Sequence, residues 1–69
     1  MSNGHVTANG KSLEGEFPCP LNTFLERQGL LPKSVVVELN GMAVTPSEFE
    51  QKKVVSGDCL EIVRIVAGG

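Results

Sequence analysis

The sequence predicts an α+β domain in which one main α-helix packs across one face of a mixed sheet of about five strands. Two observations predict this fold class. Short β-branched segments separated by Gly-containing turns indicate strands, and residues 21–28 alone have apolar side chains at helical spacing. The chain has 69 residues, so it forms one domain that buries only about 60% of its unfolded-state surface. A deep internal pocket is therefore not expected.

The first predicted element is a β-hairpin. Segments 5–8 and 11–16 flank the dipeptide Asn9-Gly10. This dipeptide favours the positive φ angles of a type I′ turn, which joins adjacent antiparallel strands.

The main helix is predicted between Pro20 and Gly29. Proline suits the start of a helix because the first turn does not use its missing N–H. An apolar stripe with helical spacing follows, formed by Leu21, Phe24 and Leu25. Gly29 suits the position just after the helix, where a left-handed conformation ends it. We expect Leu30-Leu31 to fold back onto the stripe.

Three further strands are predicted after the helix. Segment 35–39 is β-branched and almost entirely apolar, which is typical of a central strand. Asn40-Gly41 predicts a tight turn into a short strand at 42–44, and Thr45–Phe49 predicts one capped helical turn that lays Phe49 over the sheet edge.

The final strand is predicted at 59–66, and we expect it to pair in parallel with the first strand at the centre of the sheet. Strand alternation puts Leu60 and Ile62 on one face and Glu61, Val63 and Ile65 on the other. The helical stripe and the strand alternation together predict a core containing Phe24, Leu25, Val35, Val37, Leu39, Leu60 and Ile62.

Composition excludes several classes of function. The formal charge is −2 with both signs interspersed, so the sequence predicts no binding to nucleic acid or to an anionic membrane. No apolar run approaches the ~20 residues of a spanning helix. The segment 1–5 lacks the features of a signal peptide. We therefore expect a cytoplasmic protein.

The residue types that commonly act in catalysis or metal binding do not form a recognisable site in this sequence. Cys19 and Cys59 are too few for a metal centre and form no CxxC motif. We interpret both as small, mostly buried hydrophobic residues or as bystanders, and a reducing cytoplasm disfavours a disulfide between them. His5 lacks a nucleophile and a carboxylate at recognisable spacing. No catalytic residue and no metal site are predicted.

The last predicted strand ends at Val66 and is followed, after Ala67, by Gly68-Gly69. Because glycine lacks a Cβ, Gly68 and Gly69 can pass through a narrow channel. We expect a domain at 1–66 and a flexible tail at 67–69 whose terminal carboxylate is the reactive group.

Three apolar side chains are predicted to face away from the helix: Val36, Val63 and Ile65. Exposed apolar clusters commonly mark protein-binding sites, so this set predicts a surface on which a partner docks. The alternative is that these side chains pack under the loop containing Phe49.

Several segments in this order resemble the ThiS family, the sulfur-carrier proteins of thiamin (thiazole) biosynthesis within the ubiquitin-like β-grasp superfamily. The segments are Asn9-Gly10-Lys11, 23–30, 35–41, 44–49 and, most densely, 56–69. The chain departs from this resemblance where many relatives carry Arg instead of Ser47 and Trp instead of Phe49.

The resemblance implies a β-grasp fold and a specific chemistry at Gly69. An E1-like adenylating enzyme would use ATP to activate the Gly69 carboxylate, which would become a thiocarboxylate and give its sulfur to thiazole synthase. Val66, Ala67 and Gly68 would enter the partner's active site. The chain itself would be a protein co-substrate without a bound cofactor, and monomeric when free.

Three other functions fit the same sequence features. One is a sulfur carrier for molybdopterin synthesis, whose members resemble this chain in fold and terminal Gly-Gly but are usually longer. The second is a ubiquitin-like modifier conjugated to lysines. The third is a β-grasp interaction module in which the tail has no role.

Overall fold

A computed structural model describes residues 2–65, whose strands form two sheets. The elements in chain order are β1 (Ser2–Ala8), β2 (Lys11–Phe17), β3 (Cys19–Pro20), α1 (Leu21–Arg27), β4 (Val35–Leu39), β5 (Met42–Val44), β6 (Lys53–Val54) and β7 (Cys59–Arg64). Short 3₁₀ turns at Pro32–Ser34 and Pro46–Glu48 precede β4 and follow β5. The predicted tail and the predicted domain boundary after residue 66 lie outside the described residues.

The main sheet is mixed, with the strand order β2-β1-β7-β4-β5. The first and last strands pair in parallel at its centre, whereas the other neighbouring strands are antiparallel. Helix α1 covers one face. The predicted α+β class, the parallel central pair and the β-grasp arrangement are therefore confirmed.

Local sequence signals place the turns and the helix where they were predicted. Asn9 and Gly10 have φ angles of 51° and 82°, as a type I′ hairpin turn requires. Pro20 is the N-cap residue of α1, and Gly29 adopts a φ of 76° just beyond the helix. In the second 3₁₀ turn, the Thr45 N–H donates to the Glu48 carboxylate at 3.2 Å, which closes the expected capping box.

One hydrophobic core lies between α1 and the sheet. Five of the seven predicted core residues are at most 2% exposed, namely Phe24, Leu25, Val35, Val37 and Leu60. Leu39 and Ile62 pack against the margin of the core and are only partly buried. Eight further buried residues complete it: Val6, Ala8, Phe17, Cys19, Leu21, Val44, Phe49 and Val54.

The small sheet formed by β3 and β6 was not predicted from the sequence. It pairs Cys19 with Val54, and both side chains are buried. Beside it, the Leu21 N–H donates to the Lys52 carbonyl at 2.8 Å, and the Asn22 N–H donates to the Phe49 carbonyl at 3.3 Å. The loop thus satisfies N–H groups in the first turn of α1 that have no partner within the helix.

Asn9 holds β7 from one side. Strand β1 pairs with β7 over only two residues, ending at Leu60. Beyond that point the Asn9 side chain takes the place of a strand. Its Oδ1 accepts from the Ile62 N–H at 2.7 Å, and its Nδ2 donates to the Ile62 carbonyl at 2.9 Å.

Asn40 holds β7 from the other side, near its start. Its backbone N–H donates to the Cys59 carbonyl at 2.7 Å, and its Oδ1 accepts from the Cys59 N–H at 2.9 Å. Its Nδ2 donates to the Asp58 carboxylate at 3.0 Å. We call the contacts of Asn9 and Asn40 the asparagine clamps. Both Asn-Gly turns therefore fix the last strand as well as reversing the chain.

The adjacent residues Val36 and Val37 allow a matched test of the core. Val37 is fully buried, whereas Val36 is half exposed on the same strand. Val37→Ala should lower the free energy of unfolding by about 2 kcal/mol, and Leu25→Ala by about 2–5 kcal/mol, because each leaves a cavity. Val36→Ala changes the same strand propensity without a cavity and should lower it by less than about 1 kcal/mol. Urea unfolding measures all three, and equal losses at the two valines would contradict the assignment of faces.

Replacement of Asn9 separates the turn from the clamp. Asn9→Gly keeps a residue that tolerates positive φ but removes both side-chain hydrogen bonds to Ile62. The free energy of unfolding should fall by about 1–2 kcal/mol, and the Ile62 amide should lose protection in hydrogen exchange. Asn9→Asp should also destabilise, because one carboxylate oxygen would face the Ile62 carbonyl. Unchanged protection at Ile62 in both variants would show that the clamp does not hold the strand.

Candidate functional site

The chain leaves the sheet at a fixed point. Strand β7 ends at Arg64, and the Ile65 N–H then donates to the Ser34 carbonyl at 2.8 Å. Ser34 is itself held, because its N–H and its hydroxyl both donate to the Leu31 carbonyl at 2.9 and 2.8 Å. The backbone is therefore positioned as far as Ile65 by the turn that precedes β4.

Three exposed apolar side chains lie at this exit. Val36, Val63 and Ile65 are 50%, 63% and 53% exposed, and we call them the exit patch. Val36 and Val63 are directly opposite each other on β4 and β7. Phe49 is buried with the core on the helix side, so the alternative in which its loop covers the patch is wrong. The role of the patch in docking remains a prediction.

Leu31 extends the apolar surface beyond what the sequence predicted. We expected Leu30-Leu31 to fold back onto the helical stripe. Leu30 does pack against the core, but Leu31 is 73% exposed. Both leucines line a shallow depression with Ile65, next to the exit. Leu31 has extended backbone angles, with φ −84° and ψ 122°, and successive side chains along extended backbone point in opposite directions.

The open face of the main sheet, opposite α1, is acidic. Strand alternation puts four glutamates on it: Glu14, Glu16, Glu38 and Glu61. Glu38 and Glu61 are directly opposite each other, two register positions from Val36 and Val63 and adjacent to that pair on the same face. Of the strands between residues 2 and 65, none places a Lys or Arg side chain on this face.

The two cysteines have different environments and are both free thiols. Cys19 is 3% exposed, as expected, and burial raises the pKa of its thiol despite the opposing charge of Arg27. A raised pKa keeps the thiol protonated and weakly nucleophilic. Cys59 is exposed, so it is not a buried hydrophobic residue, and only the bystander interpretation fits it. Strand alternation explains this, because the next residue, Leu60, points into the core.

Other kinds of site are not apparent in the described part of the chain. An open groove runs between α1 and the two 3₁₀ turns, lined by Asn22, Leu31, Pro46 and Ser47 among others. Residues 2–65 contain no cluster of three His, Cys, Asp or Glu side chains that could bind a metal. Over the same residues, no helix has the length and apolar character needed to span a membrane.

The four tail residues named by the sequence analysis, Val66, Ala67, Gly68 and Gly69, lie outside the described residues. The last described residue before them is Ile65, which lies one residue beyond the end of β7 and belongs to the exit patch.

Known structures resemble this arrangement. The crystal structure of thiamine biosynthesis protein ThiS from Geobacter metallireducens has a TM-score of 0.78 and 28% identity, covering 94% of this chain and 99% of that chain. An NMR structure of a thiamine biosynthesis protein from the same organism has a TM-score of 0.75 and 26% identity, covering 94% of this chain and 87% of that chain.

A more distant likeness concerns the fold alone. A computationally designed protein based on human erythrocytic ubiquitin has a TM-score of 0.52 and 22% identity, covering 100% of this chain and 98% of that chain. This likeness supports a ubiquitin-like fold. A search of curated protein sequences gives no significant match.

The family assignment follows from the match over nearly the whole chain. The model of the ThiS family matches residues 7–69. This range begins in β1 and includes every later element of the domain. The chain therefore belongs to the ThiS family.

Proposed function

We propose that this chain is a sulfur carrier in thiamin biosynthesis. An E1-like adenylating enzyme activates the Gly69 carboxylate with ATP, the carboxylate becomes a thiocarboxylate, and thiazole synthase receives the sulfur. Membership of the ThiS family supports this assignment. The observation that carries it is the position of β7, a central strand held on both sides that leads directly to the exit at Ile65.

The chemistry explains why the terminus needs a partner enzyme. A carboxylate resists nucleophiles because it is negatively charged and oxide is a poor leaving group. Attack of the Gly69 carboxylate on the α-phosphate of ATP forms an acyl-adenylate and releases pyrophosphate. A sulfur nucleophile from a donor then displaces AMP. With sulfide released by the donor as the nucleophile, the acyl carbon gains the C–S bond, AMP leaves with the oxygen that joined it, a proton is released, and a thiocarboxylate remains on Gly69.

The chain contributes position rather than catalytic groups. Gly69 is four residues beyond Ile65, so its carboxylate can lie at most about 14 Å from Ile65. An enzyme that holds Gly69 in its active site must therefore approach the exit closely. The exit patch of Val36, Val63 and Ile65 offers it an apolar contact area there. Val66, Ala67 and Gly68 would bridge the distance.

In this proposal the chain is a co-substrate and not an enzyme, and it works in the cytoplasm as a free monomer. ATP belongs to the activating partner. The small size of the domain is consistent with this division, because a 69-residue chain has little room for an enclosed active site beside its core.

The terminus provides the direct test. Incubation with the adenylating enzyme, ATP and a sulfur donor should raise the intact mass of the chain by the difference between sulfur and oxygen, localised to Gly69. Deletion of Gly69 should abolish this change and leave the thermal unfolding midpoint unaltered, because terminal residues contribute little to stability. Mass spectrometry and thermal unfolding report the two effects separately.

Two further variants control for the identity of the reacting group. Addition of one residue after Gly69 converts the carboxylate to an amide and should abolish the mass change as completely as the deletion. Gly68→Leu keeps the carboxylate but should slow activation, because its side chain obstructs a narrow channel. Normal sulfur loading of the chain lacking Gly69 would exclude the carrier function and leave an interaction module.

The cysteines should be dispensable for sulfur loading. Cys19 is buried with a raised thiol pKa, and Cys59 lies apart from it on the open face. The Cys19→Ser/Cys59→Ser variant should accept sulfur on Gly69 at the wild-type level under the same assay. Cys59→Ser alone is the control for any loss of stability at the buried site. A folded double variant that cannot accept sulfur would indicate a persulfide on one of the thiols.

A further inference from the structure

Charge is unevenly divided between the two sides of the domain. The chain has eight acidic and six basic residues, and four of the eight acidic ones lie on the open face of the sheet. All six Lys and Arg residues lie elsewhere, in turns, on α1, at strand ends or on the helix side. The open face thus carries a formal charge of −4, although the whole chain carries only −2.

Glu38 and Glu61 form the most concentrated part of this charge. They are directly opposed across β4 and β7, and both are exposed. Side chains in such positions have Cβ atoms only about 5 Å apart, and like charges there are destabilising. The other cross-strand neighbour of Glu38 is Ala43 on β5, which offers no positive charge. The free domain therefore holds two uncompensated carboxylates side by side.

The pair continues directly into the exit patch. The next pair on the same face of β4 and β7, two residues along each strand, is Val36 and Val63, and the chain leaves the sheet two residues after Val63. An apolar contact and a doubly negative contact thus lie next to each other, at the place that a partner holding the terminus must cover.

We propose that Glu38 and Glu61 together bind an arginine or lysine side chain of the activating enzyme, placed beside the apolar area that covers Val36 and Val63. This inference rests on the proposed function, since it names the chemistry of the surface that the adenylating partner presents. One cation between two carboxylates removes their mutual repulsion and makes charge-assisted hydrogen bonds. The pair therefore lowers the stability of the free domain and raises the affinity of the complex.

ATP–pyrophosphate exchange by the purified adenylating enzyme, measured against carrier concentration, tests this proposal. Glu38→Gln/Glu61→Gln removes the central charges without changing side-chain size. Glu14→Gln/Glu16→Gln is the matched control, because it removes the same charge from β2 on the same face. The central variant should raise the KM for the carrier by about tenfold with kcat unchanged, and weaken its dependence on salt. The control should raise KM by less than about twofold.

A second measurement excludes a merely structural explanation. The central variant should have a higher unfolding midpoint than the wild type, by about 1–4 °C, because the repulsion is gone. Equal KM values for the two double variants would show that only net charge matters and would overturn the proposal. A lower midpoint together with a higher KM would also overturn it. An absence of exchange with the wild-type chain, by contrast, would refute the proposed function itself and this inference with it.

Discussion

The structure depends on how its last strand is held. Strand β7 lies at the centre of the main sheet, yet its parallel pairing with β1 covers only two residues. The side chain of Asn9 supplies the contacts missing on the β1 side by binding Ile62, and Asn40 extends the pairing on the β4 side to Cys59. Each amide offers one donor and one acceptor, as a backbone peptide does, which an aspartate cannot do. The direction in which the chain leaves the domain follows from these contacts.

The two faces of the main sheet differ, because one is buried under α1 and the other is open. A 69-residue chain can form only one core, and α1 together with the loop containing Phe49 covers one face of the sheet. Fully buried side chains such as Val35, Val37 and Leu60 stabilise the domain from that side. The apolar and acidic side chains on the open face are exposed and do not stabilise the domain by burial. It is therefore the part of the molecule whose composition is free to suit a partner.

The sequence predicted those features that depend on local pattern. Alternation in 35–39 and the helical stripe from Leu21 assigned the part of the core that α1 and β4 contribute, and the Asn-Gly dipeptides assigned both turns. It did not predict the small sheet of β3 and β6, because strands of two residues carry no periodicity. Nor did it predict the side-chain contacts of Asn9, which join residues 53 positions apart. An Asn at a left-handed turn position is explained by the turn alone, so the sequence offers no separate signal for the clamp.

The acidic face of the sheet is a second feature that local sequence pattern does not predict. Along the chain acidic and basic residues are interspersed, and the sequence therefore indicates no charged surface. Only the pairing of β4 with β7 brings Glu38 opposite Glu61, and only the position of α1 leaves that face open.

Charged and apolar groups that stabilise a free domain are neutralised or buried within it. The groups on this face are neither, and they lie beside the point where the chain leaves the sheet. Such features are unfavourable in isolation, and natural proteins tolerate them chiefly where function requires them. The acidic pair on the open face thus lowers the stability of the free domain at the surface where we propose that a partner binds.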